Sequence, residues 1–239
     1  MRSVFSPAVE TDLVHAFFAD RPRGYFVEVG ANEPQHDSQT WHLEQAGWTG
    51  ILIEPQPHLA DALRAKRTAR VFAVACSSPQ NAGGTMPLYV AGPHSSFDPH
   101  LVAAGVQPTE LIEVPVRTLD SVLIEAAAPR PIDFLSVDVE GHEIEVLSGF
   151  DFGRWQPRLV LLEDHVGNLR KHRFMLRAGY RLVRRTGLNG WYVPKDRAAR
   201  LGWFGRWQIL RKYYLALPFR MARNAARRRR ERLKTARAP

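Results

Sequence analysis

The sequence predicts an α/β fold: a mostly parallel sheet closed by an antiparallel hairpin, with helices on both faces. Three observations predict it. Short, unbroken apolar stretches recur along the chain, as strands buried on both faces require. Segments with helical spacing alternate with them, the pattern of successive βα units. The last two strand-like stretches are instead joined by a short turn, Thr186-Gly187-Leu188-Asn189-Gly190, which reads as a hairpin.

The elements follow in order. Ser6 can cap a helix running to Asp20, with Pro7 in its first turn and Val9, Leu13 and Phe17 at helical spacing. Tyr25 to Gly30 is a first strand ending in glycine. Ser38 to Ala46 is a short helix closed by Gly47. Ile51 to Glu54 is the second strand, and Pro57 to Arg67 a helix with Leu59 and Leu63 on one face. Val71 to Cys76 is a third strand. Residues 77–116 are rich in Pro, Gly and Ser, with short strands at Met86–Val90 and Leu111–Val116. A long irregular stretch of this kind is often a functional cover. Thr118 to Ala127 is helical, Ile132 to Val137 a fourth strand, Gly141 to Leu147 a helix, and Arg158 to Glu163 a fifth strand. Asn168 to Ala178 is a helix ending at Gly179, and Tyr180–Arg184 with Gly190–Val193 forms the hairpin.

The chain has 239 residues, 45% hydrophobic and 24% charged, enough for one large domain and a modest appendage. Its single cysteine, Cys76, excludes an internal disulfide and a cysteine-built zinc site. Met1 to Pro7 does not read as a signal peptide, and no stretch of about 18 apolar residues reads as a membrane span. A cytoplasmic protein, or one peripheral to a membrane, is expected. The net charge of +9 is unevenly placed. Residues 195–239 carry +13, whereas residues 1–194 carry −4. The expected organisation is therefore a domain over 1–194 and a basic, aromatic-rich, partly helical tail over 195–239.

In open sheets of this type ligands sit beyond the carboxyl ends of the strands. Those ends carry Glu28 to Asn32, Glu54, Cys76-Ser77, Asp138 to His142, and Glu163 to His165. Gly30 lets the backbone approach a ligand that a Cβ would obstruct, and Glu28 can accept a hydrogen bond from an ammonium or hydroxyl. The dinucleotide fingerprint requires glycines where this chain has Asn32 and Gln35, so a cofactor without a pyrophosphate fits better. Glu54 ends the second strand, the place for an acid that accepts both ribose hydroxyls. The alternative, a solvated strand-end acid, is less favoured with Glu28 and Gly30 in register. The expected cofactor-binding set is Glu28, Gly30, Ala31, Asn32, Glu54, Pro55, Cys76 and Asp138. Cys76 also reads as a small buried thiol at a strand end.

The chain resembles the FkbM family of methyltransferases. The resemblance rests on Phe26 to Asn32, Gly47 to Pro55, Arg117 to Ser121, Asp133 to Gly149 and Arg185 to Val193, and spans about residues 20–194. It implies a Rossmann-like methyltransferase sheet, S-adenosylmethionine as methyl donor, and O-methylation of a sugar, glycolipid or secondary metabolite. Pro34 departs from the pattern, near where many methyltransferases place a further glycine.

A hydroxyl acceptor must lose its proton, to a base or with the help of a metal ion. Asp138, His142 and His165 are the candidate catalytic residues, His142 being preferred to His165 because it starts the helix directly after Asp138. Asp138, Glu163 and Asp164 are candidate ligands for Mg²⁺, a hard cation that prefers oxygen donors, as in metal-dependent O-methyltransferases. Otherwise Glu163 caps a neighbouring element and Asp138 orients a loop. Glu140 and Glu143 read as structural acids in the first turn of a helix. His94 to Phe97 either lines an acceptor pocket or is ordinary loop polarity.

The tail alternates Trp203, Phe204, Trp207, Ile209, Leu210, Tyr213, Tyr214 and Leu217 with basic residues, and Arg227 to Arg230 follow. It suits an interfacial helix on anionic lipid. It also fits a helix packed on the core with a solvated charge run. Nucleic acid held by phosphate contacts and stacking is less favoured. Two other functions stand beside the leading one. A nucleic-acid methyltransferase would carry an Asn-Pro-Pro-Tyr-type motif after the fourth strand, which this chain lacks. A non-catalytic binding module would not need Glu28, Gly30, Glu54 and Asp138 together.

Overall fold

The computed structural model describes residues 7–92, 94–98, 107–164, 169–196, 206–207, 210–223 and 226. Seven strands form the main sheet: β1 (Tyr25–Val29), β2 (Thr49–Ile53), β3 (Arg70–Phe72), β7 (Phe134–Val137), β8 (Leu159–Glu163), β9 (Tyr180–Thr186) and β10 (Asn189–Pro194). Their order is β3-β2-β1-β7-β8-β10-β9. All neighbours from β3 to β8 are parallel, and β10 is antiparallel to both β8 and β9. This is the mostly parallel sheet with a closing hairpin that the apolar pattern predicts. A separate three-stranded sheet joins β4 (Ala75–Cys76), β5 (Thr85–Val90) and β6 (Glu110–Arg117).

Successive strand residues point to opposite faces, and both faces of this sheet are covered. Val27, Val29, Ile51, Ile53, Leu135 and Val137 face one side. There they meet α4 (Leu119–Glu125) through Leu119 and Val122, α5 (Glu143–Ser148) through Val146 and Leu147, and α7 (Arg170–Arg177) through Met175. Phe26, Leu52, Phe134 and Leu161 face the other side, against α1 (Pro7–Phe17) through Val14, α2 (Trp41–Gln45) through Leu43 and α3 (Pro57–Lys66) through Leu63. Tyr213 and Leu217, from the basic tail, also pack into the first of these cores.

Two local features differ from the sequence expectation, the split of residues 71–76 and the helix over Phe152–Trp155. The apolar stretch Val71 to Cys76 is two strands, because Arg70–Phe72 pairs with β2 while Ala75–Cys76 leaves the main sheet and pairs with β6. The two short strands expected within residues 77–116 are present as β5 and β6, which pair antiparallel from Thr85–Pro115 to Val90–Glu110. A short helix not foreseen, α6 (Phe152–Trp155), is capped by Asp151, whose side chain accepts from the backbone N–H groups of Gly153 and Arg154.

The strand order reverses beside β1. The chain passes from β1 to β2 on one side and later returns to place β7 on the other. A crevice opens beyond the carboxyl ends of strands at such a point.

Candidate functional site

A cavity of about 440 Å³ lies at that crevice, within the range of small-molecule sites. Glu28 and Val29 end β1 and Gly30 to Asn32 follow it, Glu54 to Gln56 follow β2, and Asp138 to Glu140 follow β7; all of them line it, together with Glu163 at the end of β8. The turn Thr186 to Asn189 forms another wall, and Leu88, Gly92, Ser95 and Phe97 reach over from the small sheet and the loop after it.

Glu54 is buried, and its two carboxylate oxygens accept from the backbone N–H groups of Asn32 (2.9 Å) and Gln56 (3.0 Å). The Gln56 side chain donates to it as well, and the acceptor capacity left over is open to a ligand hydroxyl. Burial pushes its carboxyl above the usual range, and the backbone donors of Gln56 and Asn32, with the Gln56 side chain, pull it part of the way back.

Glu28 is engaged differently. Its carboxylate accepts from Thr40 Oγ1 (2.5 Å), the Gln39 N–H (2.7 Å) and Ser38 Oγ (3.0 Å). The side chain of Arg67 is fully buried beside it, 4.0 Å from Glu28 and 2.8 Å from Glu44, and donates to the Pro34 carbonyl and to Thr40 Oγ1. Glu28 thus fastens residues 38–40 against the strand end. This internal network occupies the acceptor capacity that the sequence suggested for a ligand ammonium or hydroxyl.

Asp138 lines the same cavity, directly after the end of β7. Solvent reaches it through the mouth of the cavity, yet most of its surroundings are protein. Burial raises its carboxyl well above the ordinary range, and the neighbouring carboxylates of Glu163, Glu140 and Glu143 raise it further. Asp138, Glu140 and Glu163 each offer an oxygen within 4.8 Å of the others. Lys171 supports this wall from behind, donating to the Glu163 carbonyl (2.9 Å) and lying 2.5 Å from the buried carboxylate of Glu143.

Of the cofactor-binding set expected from sequence, Glu28, Gly30, Ala31, Asn32, Glu54, Pro55 and Asp138 line the cavity. Cys76 does not: its strand has left the main sheet, its thiol is buried in the core, and burial pushes its pKa up to about 12. Of the expected metal ligands, Asp138 and Glu163 come together. Asp164 turns away, as the next residue along an extended strand end does, and accepts from the Tyr213 hydroxyl (2.7 Å) with Arg185 3.6 Å away. Glu140, read from sequence as structural, stands in its place.

His142 lies one layer behind the wall. Its Nε2 is 2.9 Å from Ser77 Oγ, and its ring packs on Phe97, which does line the cavity. Burial lowers its pKa, so it is neutral at neutral pH. His165 lies outside the described residues. Ser95 and Phe97 line the cavity while Ser96 donates to the Glu140 carbonyl.

One cavity residue carried no signal in the sequence. Glu10 extends from α1, and its carboxylate accepts from Thr186 Oγ1 and from Asn189 Nδ2 (2.8 Å), pinning the hairpin turn. Burial raises its carboxyl as well.

The model of the methyltransferase FkbM domain matches residues 28–182, from the tip of β1 into β9. No curated protein matches the chain in sequence. Among the described residues no helix is long and apolar enough to cross a membrane.

Proposed function

The chain belongs to the FkbM methyltransferase family, and from that premise we propose that it moves a methyl group from S-adenosylmethionine to a hydroxyl of a sugar, glycolipid or secondary metabolite. The observation that carries this reading is that two unlike acidic groups, at the ends of β2 and of β7 and β8, line one cavity. Glu54, held by Asn32 and Gln56, lines it at the end of β2, and the interacting pair Asp138 and Glu163 lines it at the ends of β7 and β8.

When bound, S-adenosylmethionine supplies a methyl on a sulfonium, ready for in-line displacement. The protein then has to position the partners and take up one proton. Glu54 accepts the two ribose hydroxyls. Gly30 to Asn32 let the adenosyl group lie close to the backbone. Glu28 keeps residues 38–40 in place through its hydrogen bonds. Asp138, in its carboxylate form, would take the proton of the acceptor hydroxyl as the oxygen–methyl bond forms and the methyl–sulfur bond breaks, its electron pair leaving with the thioether sulfur, and Glu163 beside it raises its basicity. Leu88, Ser95 and Phe97 border the acceptor from above. His142 acts through Phe97, as a positioning residue.

A second reading follows from the third carboxylate. Asp138, Glu140 and Glu163 form an all-oxygen donor set that suits Mg²⁺. EDTA separates the two: full turnover in its presence supports proton transfer to Asp138, and loss of turnover restored by Mg²⁺ supports the cation.

Calorimetric titration with S-adenosylmethionine tests the proposal. The protein binds it, and Glu54→Ala weakens binding about 10- to 100-fold, the loss of hydrogen bonds to a charged acceptor. Folded protein that evolves no heat would overturn the reading and leave a binding module.

A further inference from the structure

A second surface lies on the basic tail, apart from the cavity. A π-helical segment, Leu210–Leu215, leads into a helix over 217–223. Tyr213 and Leu217 face inward and are buried. The Tyr213 hydroxyl donates to Asp164 and accepts from Arg185 Nη1 (2.9 Å). Arg185 Nη2 in turn donates to the carbonyls of Asp164 (2.7 Å) and of Leu188 (3.1 Å), a cavity-lining residue. The segment is therefore seated on the body of the protein, one side chain away from the cavity wall.

Its outer side is left apolar. Phe219 is 79% exposed, Tyr214 62%, and Leu215 and Met221 each 52%, with Trp207 and Leu210 exposed beside them in sequence. Scattered apolar residues are ordinary on a surface, but so many within 15 residues mark an interaction site. Among them Arg206, Arg211 and Arg223 are exposed and Arg220 is half-buried, and no acidic residue occurs between Asp196 and Glu231.

We propose that residues 206–207 and 210–223 form a docking surface for an anionic lipid bilayer. The aromatic and aliphatic side chains enter the boundary between headgroups and acyl chains, and the arginines pair with lipid phosphates. The mix of residues favours lipid over nucleic acid. Arginines and flat aromatic rings would serve either partner, but exposed Leu210, Leu215 and Met221 gain from leaving water into acyl chains and offer nothing to a base stack. Charge agrees, since the tail carries +13 on a body of −4. The inference goes beyond the methyl-transfer reading and does not depend on it.

The test is sedimentation of the full chain with vesicles of phosphatidylcholine alone, or mixed with phosphatidylglycerol, at low and at high salt. Two variants accompany it, Tyr214→Ser with Phe219→Ser, and Arg211→Ser with Arg223→Ser. All four positions are exposed, so the buried anchor through Tyr213 and Leu217 is left intact. The chain is expected to pellet with the anionic vesicles and to remain in solution with the neutral ones. Each arginine removed should lower the partition coefficient by about fivefold, and the apolar pair should lower it at least about tenfold. Wild-type protein that stays in the supernatant with anionic vesicles at low salt overturns the proposal. So does tight binding of single-stranded DNA by a chain that ignores vesicles, or partitioning that neither variant alters. If a variant fails to fold, the comparison of wild type on anionic and neutral vesicles decides alone.

Discussion

A Cβ placed on Gly30 would stand 1.8 Å from the carbonyl oxygen of Asp138. The ends of β1 and β7 are pressed together there, with the Asp138 N–H donating to the Val29 carbonyl (3.0 Å) and Gly30 at φ +82°. From sequence, Gly30 serves contact with a ligand. In the structure, the backbone it must first admit is the protein's own, and that contact holds Asp138 at the cavity wall.

Gly30→Ala should therefore fail on two counts, a left-handed backbone and a collision with main chain. The expected loss is about 2–4 kcal/mol in urea unfolding, together with loss of S-adenosylmethionine binding. A variant as stable as wild type would show that the two strand ends can part at little cost.

Arg67 neutralises buried Glu44 and lies beside buried Glu28. Arg67→Met removes the cation beside both carboxylates, leaving Glu44 to its Thr68 donors and Glu28 to Ser38, Gln39 and Thr40. Breaking a buried pair on one side costs about 3–5 kcal/mol, read as a lower urea midpoint. A shift within about 0.5 kcal/mol of wild type would show that the network around residues 38–40 is not held by this charge.

Asp138 binds its proton more tightly in the folded chain than in the unfolded one, since its carboxyl is raised above the ordinary 3.8. The folded state then holds more protons, and stability is lost as pH rises from that value toward the folded one. Asp138→Asn removes this burden. Its Tm near neutral pH should be higher by roughly 2–4 °C, about 1 kcal/mol for a chain of this size, while turnover falls by at least about 100-fold. Unchanged Tm together with unchanged turnover would remove Asp138 from the mechanism.

His42 reports on pH in the opposite sense. Burial and the adjacent His15 ring, 4.4 Å away between centroids, lower its pKa from 6.5 to about 4. The unfolded chain takes up the proton first, so the stability due to neutral His42 is lost as pH falls below 6.5 toward 4. His42→Leu should flatten the fall in Tm over that window. An identical slope in both proteins would assign the acid sensitivity to other groups.

Much of the fold was legible because strand burial and helix spacing are local. Phe26 to Val29, Phe134 to Val137 and Leu159 to Glu163 are apolar runs buried at nearly every position, and each announces a central parallel strand without reference to the rest of the chain. The strand-end rule pointed to Glu28, Gly30, Glu54 and Asp138, which line one cavity, because the direction of a parallel strand follows from its order in the chain. Glu10 and Arg67 were not legible. Their partners, Thr186 and Asn189 for one and Glu28, Thr40 and Pro34 for the other, are distant in sequence and no periodicity links them. Residues 71–76 misled for a related reason, since an apolar run specifies that a strand is buried and leaves open which sheet receives it.

The sequence by itself determined the α/β class, the closing hairpin, the acids at the strand tips and the asymmetry of charge, because each depends on residue type and spacing along the chain. Only the tertiary structure decided which tips share a cavity. It seats Glu163 and Glu140 beside Asp138, sends Asp164 to Tyr213 and Arg185, and takes Cys76 into the core. The physical reason is that side-chain direction at a strand end, and the company a carboxylate keeps there, are set by packing between segments far apart in the chain.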